Sequence, residues 1–179
     1  MAKKDVPVEV FWKNKLPKGE HLLPVDFTIH TADPIRKALE KGYIPTVTHL
    51  HGGHTESASD GIPEAWFAQG FSGKGAQWTK GIYRYDNDQQ AATLWYHDNA
   101  LGLTRLNVYA GLAGFYLLRD DNENRLTTTG VLPRAPYEIE MVVQDKIFTS
   151  DGKLFLPSRP KIEVPAQPFM GGPSIIAEF

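Results

Sequence analysis

The sequence predicts an all-β domain of many short strands and turns, with a few short helices and long loops. Two observations predict this. Sixteen glycines and thirteen prolines in 179 residues interrupt the chain too often for a helical bundle. Between them lie short runs with strand-like apolar patterning, at residues 8–13, 45–51, 81–85, 92–97, 113–119 and 137–143. The length suits one domain with a real core.

Residues 8–13 predict a strand with Val8, Val10 and Trp12 on one face. Residues 14–19 read as a turn, and residues 24–30 as a short extended segment. Asp33 and Pro34 make an N-cap and first-turn pair, so residues 34–41 predict a short helix that Gly42 stops. Residues 45–51 are a strand carrying His49 and His51. Residues 52–80 lack periodicity and are rich in Gly, Ser and aromatics, which predicts a long packed loop. Strands at 81–85 and 92–97 flank a polar turn at 86–90. Asp98 and Asn99 offer an N-cap for a short helix through Leu103, Leu106 and Ala110, closed by Gly111. Residues 113–119 predict a buried strand, 120–124 a loop, and 137–143 a strand with one wet face. Beyond Asp151 come Pro157, Pro160, Pro165, Pro168 and Pro173, which predict linker or extended coil rather than core. The expected division is a folded unit at 1–150 and a proline-rich linker at 151–179.

Composition narrows the chemistry. A net charge of −2 shows no nucleic-acid or membrane-surface footprint. No run of about 18 apolar residues exists to span a bilayer. The opening Met1-Ala2-Lys3-Lys4-Asp5 has no apolar stretch, so no signal peptide is expected there. Cysteine is absent, which removes disulfides, thiolate nucleophiles and thiolate-ligated copper from this chain.

The stretch with most chemical content is His49-Leu50-His51-Gly52-Gly53. Histidines two apart on a strand share a face, at roughly 6–7 Å between Cα atoms. That spacing suits two neighbouring metal ions better than one chelated ion, and the glycines allow close backbone approach. The alternative is a pair of rings satisfied by backbone carbonyls. His97 ends a second strand as a third candidate ligand. His54 lies in the loop and is expected to be exposed. His21 and His30 read as structural or surface residues. Trp66, Phe67, Trp78 and Trp95 are expected to be packing residues rather than a substrate platform.

Two segments together carry a family resemblance. The first is His49-Leu50-His51-Gly52-Gly53, followed by Ser59-Asp60-Gly61-Ile62-Pro63-Glu64-Ala65-Trp66-Phe67. The second is Thr93-Leu94-Trp95-Tyr96-His97-Asp98-Asn99-Ala100-Leu101, followed by Thr104-Arg105-Leu106-Asn107-Val108-Tyr109-Ala110-Gly111. The pair resembles the first cupredoxin domain of bacterial multicopper oxidases, in the spore-coat laccase and bilirubin oxidase branch. The resemblance runs from about Val8 to the end of the sequence. It implies an incomplete Greek-key β-barrel or sandwich of cupredoxin type. It also implies a laccase-like oxidoreductase that takes electrons from phenols, aromatic amines or metal ions and reduces dioxygen to water at a trinuclear copper cluster.

Carried over by residue, His49 resembles the type 2 copper ligand, and His51 with His97 the ligands of one type 3 copper. Asp60 matches an acidic residue near the cluster that helps position or protonate oxygen species. The family's next histidine is replaced here by Asn99, a poor copper ligand beside imidazole. Asn99 is expected instead to start the following helix, and Asp60 has the alternative of capping the turn at Gly61.

The sequence departs from the family in other ways. It contains no His-Cys-His motif and no cysteine, so the family's type 1 site and half of its cluster ligands are expected to be missing from it. It also lacks the family's opening strands and stops where a second domain would follow. The expectation is therefore a fragment that is inactive in isolation, with dioxygen and a small reductant as partners of the complete enzyme. Two alternatives are a non-catalytic copper-binding module and an assembly module that self-associates through exposed sheet edges. Neither a nucleic acid nor a membrane is expected as partner. Family members are often extracytoplasmic or in the spore coat, and the compartment of this chain is left open.

Overall fold

A computed structural model describes residues 1–27 and 33–156. His30 and the prolines from Pro157 onward lie outside the described residues. The main sheet has four strands in the order β1 (Ala2–Lys3), β6 (Ala113–Arg119), β5 (Ala92–Asp98) and β3 (Thr48–His51). Its first pair is parallel and the other two are antiparallel. A second sheet pairs β2 (Val8–Phe11) with β4 (Ile82–Tyr85), antiparallel. Among the described residues no helix is long and apolar enough to cross a membrane.

The two sheets face each other because each alternates. Val8, Val10 and Trp12 turn the half-buried side of β2 inward, as expected. Leu50, Tyr83, Tyr85 and Leu94 are buried between the sheets, with Val10, Trp12, Tyr96 and Tyr116 packed against them. Fully burying one such side chain stabilises the fold by about 1.5–3 kcal/mol. Two hydrogen bonds join polar tips in this layer: Trp12 Nε1 donates to Tyr85 Oη at 3.1 Å, and Tyr116 Oη donates to Asn87 Oδ1 at 2.8 Å. A second core gathers Leu23, Ile35, Val47, Trp66, Leu103 and Leu106. It joins α1 (Asp33–Glu40), α2 (Thr104–Tyr109) and the loop that follows β3. Gly42 ends the α1 region at φ 71°, a conformation that glycine takes without cost.

The loop at 52–80 is packed, as expected, through three 3-10 turns at Ser57–Ser59, Pro63–Ala65 and Gln69–Phe71. Trp66 and Phe67 are buried within it.

Several expectations fail. Residues 120–124 do not form a loop. Asp120 Oδ1 accepts from the Glu123 backbone N–H and caps α3 (Asp121–Thr128). Residues 137–143 form no strand, and Val143 is 93 % exposed. Period-2 alternation needs a partner edge, and among the described residues no strand pairs with this segment. Strand β6 falls where expected but is mostly half-buried, because Phe115 looks outward. The prolines of the expected linker lie outside the described residues, but the stretch just before them is ordered. Strands β7 (Ile147–Phe148) and β8 (Leu154–Phe155) form a hairpin, and Leu156 is buried in the second core.

Candidate metal centre

The site is built by the pairing of β3 with β5. The register places His49 opposite His97 and His51 opposite Trp95. Side chains alternate on each strand, so His49, His51, Trp95 and His97 share one face while Leu50, Leu94 and Tyr96 fill the core. The three imidazoles form a near-equilateral group, with ring centroids 5.7 Å (His49–His51), 5.6 Å (His49–His97) and 5.4 Å (His51–His97) apart. The structure thus brings together the three histidines singled out from the sequence.

Two of the rings are held by main-chain oxygens. His49 Nδ1 lies 2.6 Å from the Asp60 carbonyl, and His97 Nδ1 lies 2.7 Å from the Asp98 carbonyl. A carbonyl only accepts, so both Nδ1 atoms carry the proton and both Nε2 atoms keep a lone pair. The backbone-carbonyl alternative for these histidines is therefore present, yet it leaves one nitrogen of each free for another task. The third ring turns Nδ1 toward His97 Nε2 at 3.2 Å. Two imidazole nitrogens bound to one ion at about 2.0–2.1 Å, near the tetrahedral angle, stand about 3.3 Å apart. The His51–His97 pair fits a shared first-row metal ion, with His49 beside it. Among the described residues no group of three or more His, Asp or Glu donors converges on a single ion. Burial holds the His97 imidazolium below the ordinary histidine range, with the nearby His49 and His51 acting in the same direction. A metal ligand must be neutral, so this shift favours binding.

The loop that reaches His49 is locked by a close approach. Gly61 sits at φ 68°, and a Cβ there would lie 1.9 Å from the Thr48 carbonyl oxygen. Backbone packs directly on backbone, which carries the Asp60 carbonyl onto the His49 ring. The Asp60 carboxylate accepts from Thr55 Oγ1 at 2.6 Å and stands 3.4 Å from His49 Nδ1. The carbonyl is the nearer partner, and the carboxylate remains about a third exposed. The Asp60 backbone N–H closes the preceding 3-10 turn at Ser57–Ser59, while the turn at Pro63–Ala65 starts from Ile62 without a side-chain cap.

Beneath the histidines lies a polar network that the sequence did not reveal. Asp98 Oδ1 accepts from the Val47 N–H, and Oδ2 accepts from the Ala100 N–H and from Asn107 Nδ2. Asn107 Nδ2 also donates to the Pro45 carbonyl, and its Oδ1 meets His21 Nε2 at 2.9 Å. Burial pushes the Asp98 carboxyl up to about 6, against the opposing pull of these donors. The network ties the entry of β3 to the exit of β5 and so fixes the histidine pair. His21 is structural, as expected.

Asn99 does not start a helix. Helix α2 begins five residues later, and the Asn99 amide donates to the Gly61 carbonyl at 3.1 Å. The side chain is thus engaged in joining β5 to the Asp60 loop. His54 is exposed and faces Asp88 at 3.4 Å. Trp95 differs from the packing role expected of it. Its ring lies 4.3 Å from that of His97 and 5.2 Å from that of His51. Alternation along β5 was the available signal, since Trp95 is two residues from His97.

The chain is similar to known proteins along most of its length. Residues 42–123 match the multicopper oxidase family. The chain is 47 % identical to a laccase from Bacillus stratosphericus over 178 residues, which are 99 % of this chain and 33 % of the relative. It is 44 % identical to a laccase from Bacillus subtilis (strain 168), again over 178 residues and the same shares. The chain thus spans about a third of the length of the curated relatives it matches. Among solved structures, a multicopper oxidase from the hyperthermophile Aquifex aeolicus matches with a TM-score of 0.55 and 27 % identity, over 65 % of this chain and 24 % of that one. The mostly-strand, cupredoxin-type fold expected from the sequence, in incomplete form, is what this neighbour shares.

Proposed function

We propose that this chain, as a multicopper oxidase segment of laccase type, supplies one wall of a copper cluster at which dioxygen is reduced to water. The observation that carries the proposal is the convergence of His51 Nδ1 and His97 Nε2 at 3.2 Å beside His49. His51 and His97 would hold one type 3 copper, and His49 would hold the type 2 copper through its free Nε2. Copper bound there would supply one-electron steps linking a phenol, aromatic amine or metal-ion reductant to dioxygen. The remaining ligands, and the thiolate of a type 1 copper, would come from outside these 179 residues.

The chain's own groups have separable tasks. The carbonyls of Asp60 and Asp98 hold the His49 and His97 tautomers. The Asp60 carboxyl, bonded by Thr55 and partly exposed, would take protons from solvent and pass them on beside the histidines. Asn99 would leave the other type 3 copper without its first-domain ligand, its amide being spent on Gly61. The isolated chain would then bind copper without oxidising phenols, because no electron entry site is present in it.

Titration of the metal-free chain with copper(II), followed by electron paramagnetic resonance, tests this. Nitrogen-ligated copper is expected, and loss of that signal in a His51→Ala and His97→Ala double variant. Absence of bound copper, or binding unchanged in the double variant, would defeat the proposal. Chelator-sensitive turnover of a phenolic dye by the chain alone would defeat the inactivity part only.

A further inference from the structure

The three histidines are not held alike. His49 and His97 each have Nδ1 fixed by a main-chain carbonyl. Among the described residues, His51 has no hydrogen bond besides its contact with His97, and it is the exposed member of the three. What it does have is the indole of Trp95. The two rings stack at 5.2 Å with an interplanar angle of 21°. Trp95 is the cross-strand partner of His51 and sits two residues before His97, so one indole touches both histidines of the converging pair. Directly opposed positions on paired strands are the ones whose side chains fix each other.

We propose that Trp95 is the positioning residue for His51: its indole face holds the His51 imidazole so that Nδ1 points at His97 Nε2. Without it, the His51 ring would sample other rotamers in solvent, and the two nitrogens would meet only part of the time. The role goes beyond coordination itself, yet its metal consequence rests on the reading that His51 and His97 share an ion. An outer partner that orients a ligand typically changes metal affinity by about 10–100-fold. Trp95 is 38 % exposed and lines a cavity of about 470 Å³ together with His97, Val108, Tyr109 and Leu156. Removing it therefore opens an existing hollow rather than the core.

Two measurements on the full 179-residue chain test this, with the variants Trp95→Ala and Trp95→Phe. In the metal-free protein, nuclear magnetic resonance should show the His51 ring protons shifted upfield by the indole. It should also show one dominant His51 side-chain rotamer. Trp95→Ala should lose both features while His49 keeps its shifts, and Trp95→Phe should retain the single rotamer. A His51 rotamer unchanged in Trp95→Ala overturns the proposal whether or not copper binds. In the second measurement, copper(II) affinity should fall by about 10–100-fold in Trp95→Ala and return to within about threefold in Trp95→Phe. Wild-type affinity in Trp95→Ala also overturns it. Absence of copper binding in every protein would instead count against the cluster proposal and leave the ring-ordering result to decide this one.

Discussion

Replacing Asp98 by alanine should destabilise the metal-free chain strongly, though among the described residues Asp98 makes no ion pair. Its two carboxylate oxygens accept from the Val47 N–H at 2.9 Å, the Ala100 N–H at 3.0 Å and Asn107 Nδ2 at 2.9 Å. Asp98 and Asn107 are nearly inaccessible, so water replaces the lost acceptors poorly. A buried donor left without a partner costs about 1–3 kcal/mol, which for three donors puts the loss at about 3 kcal/mol or more. Asp98→Asn should cost less, about 1–3 kcal/mol, because an amide keeps one oxygen for two donors and opposes only the third.

Urea unfolding followed by tryptophan fluorescence measures both. With a slope of about 2 kcal/mol/M, the alanine variant should lose about 1.5 M in midpoint. The sign of the pH dependence is set by burial. The folded carboxyl is pushed up to about 6 from 3.8. A group raised in this way contributes its full share below the lower value and loses it as pH rises through the upper one. The gap between wild type and Asp98→Ala should therefore be wider at pH 4 than at pH 8. Equal losses in the alanine and asparagine variants, or an alanine variant within about 0.5 kcal/mol of wild type, would refute the view that these three bonds fix the strand pair.

Three further outcomes are expected. Gly61→Ala should cost about 2–4 kcal/mol in a thermal melt, since a Cβ at 1.9 Å from the Thr48 oxygen forces the Asp60 loop off β3; a cost under 1 kcal/mol would contradict the close approach. In alkaline spectrophotometric titration, Tyr83 and Tyr85 should ionise late. Burial, helped by the Asp60 charge, pushes Tyr83 up to about 12, and burial, helped by nearby tyrosines and Asp60, raises Tyr85 further. Both groups are raised, so their stabilising effect is intact below pH 10 and lost as pH rises through about 12, and free titration of every tyrosine near pH 10 would count against the buried layer. Asp120→Ala should loosen α3 by about 1 kcal/mol, visible as faster amide exchange across Asp121–Thr128, and unchanged exchange would remove the cap.

The parts of this protein that were legible in its sequence are those where local pattern and pairing agree. Short apolar runs marked β5 and β6 to within a residue, and the two-residue spacing of His49 and His51 set their common face. Residues 137–143 alternate as well, but a strand exists only where another edge accepts its hydrogen bonds. Asp120 and Glu123 are spaced as a capping pair and signalled α3, but the acidic run around them resembled a loop. Leu156 was obscured by the prolines after it. The Asp98–Asn107 network was not legible, because nothing in one dimension says that residues 45, 47, 98, 100 and 107 meet. Asn99 was misplaced for a related reason. Its preference for helix starts is real, but the Gly61 carbonyl lies closer than any helix it might have begun.

Mutation cannot reach the supports of the three histidines equally. The anchors of His49 and His97 are carbonyl oxygens, which every amino acid carries. Substituting Asp60 or Asp98 changes a side chain but leaves the oxygen in place for as long as the backbone holds its path. Only His51 leans on a group that a single codon change can delete. Sequence drift around this site should therefore be felt first at one ring, and laboratory evolution that aims to tune the metal, rather than abolish it, has Trp95 as its natural handle.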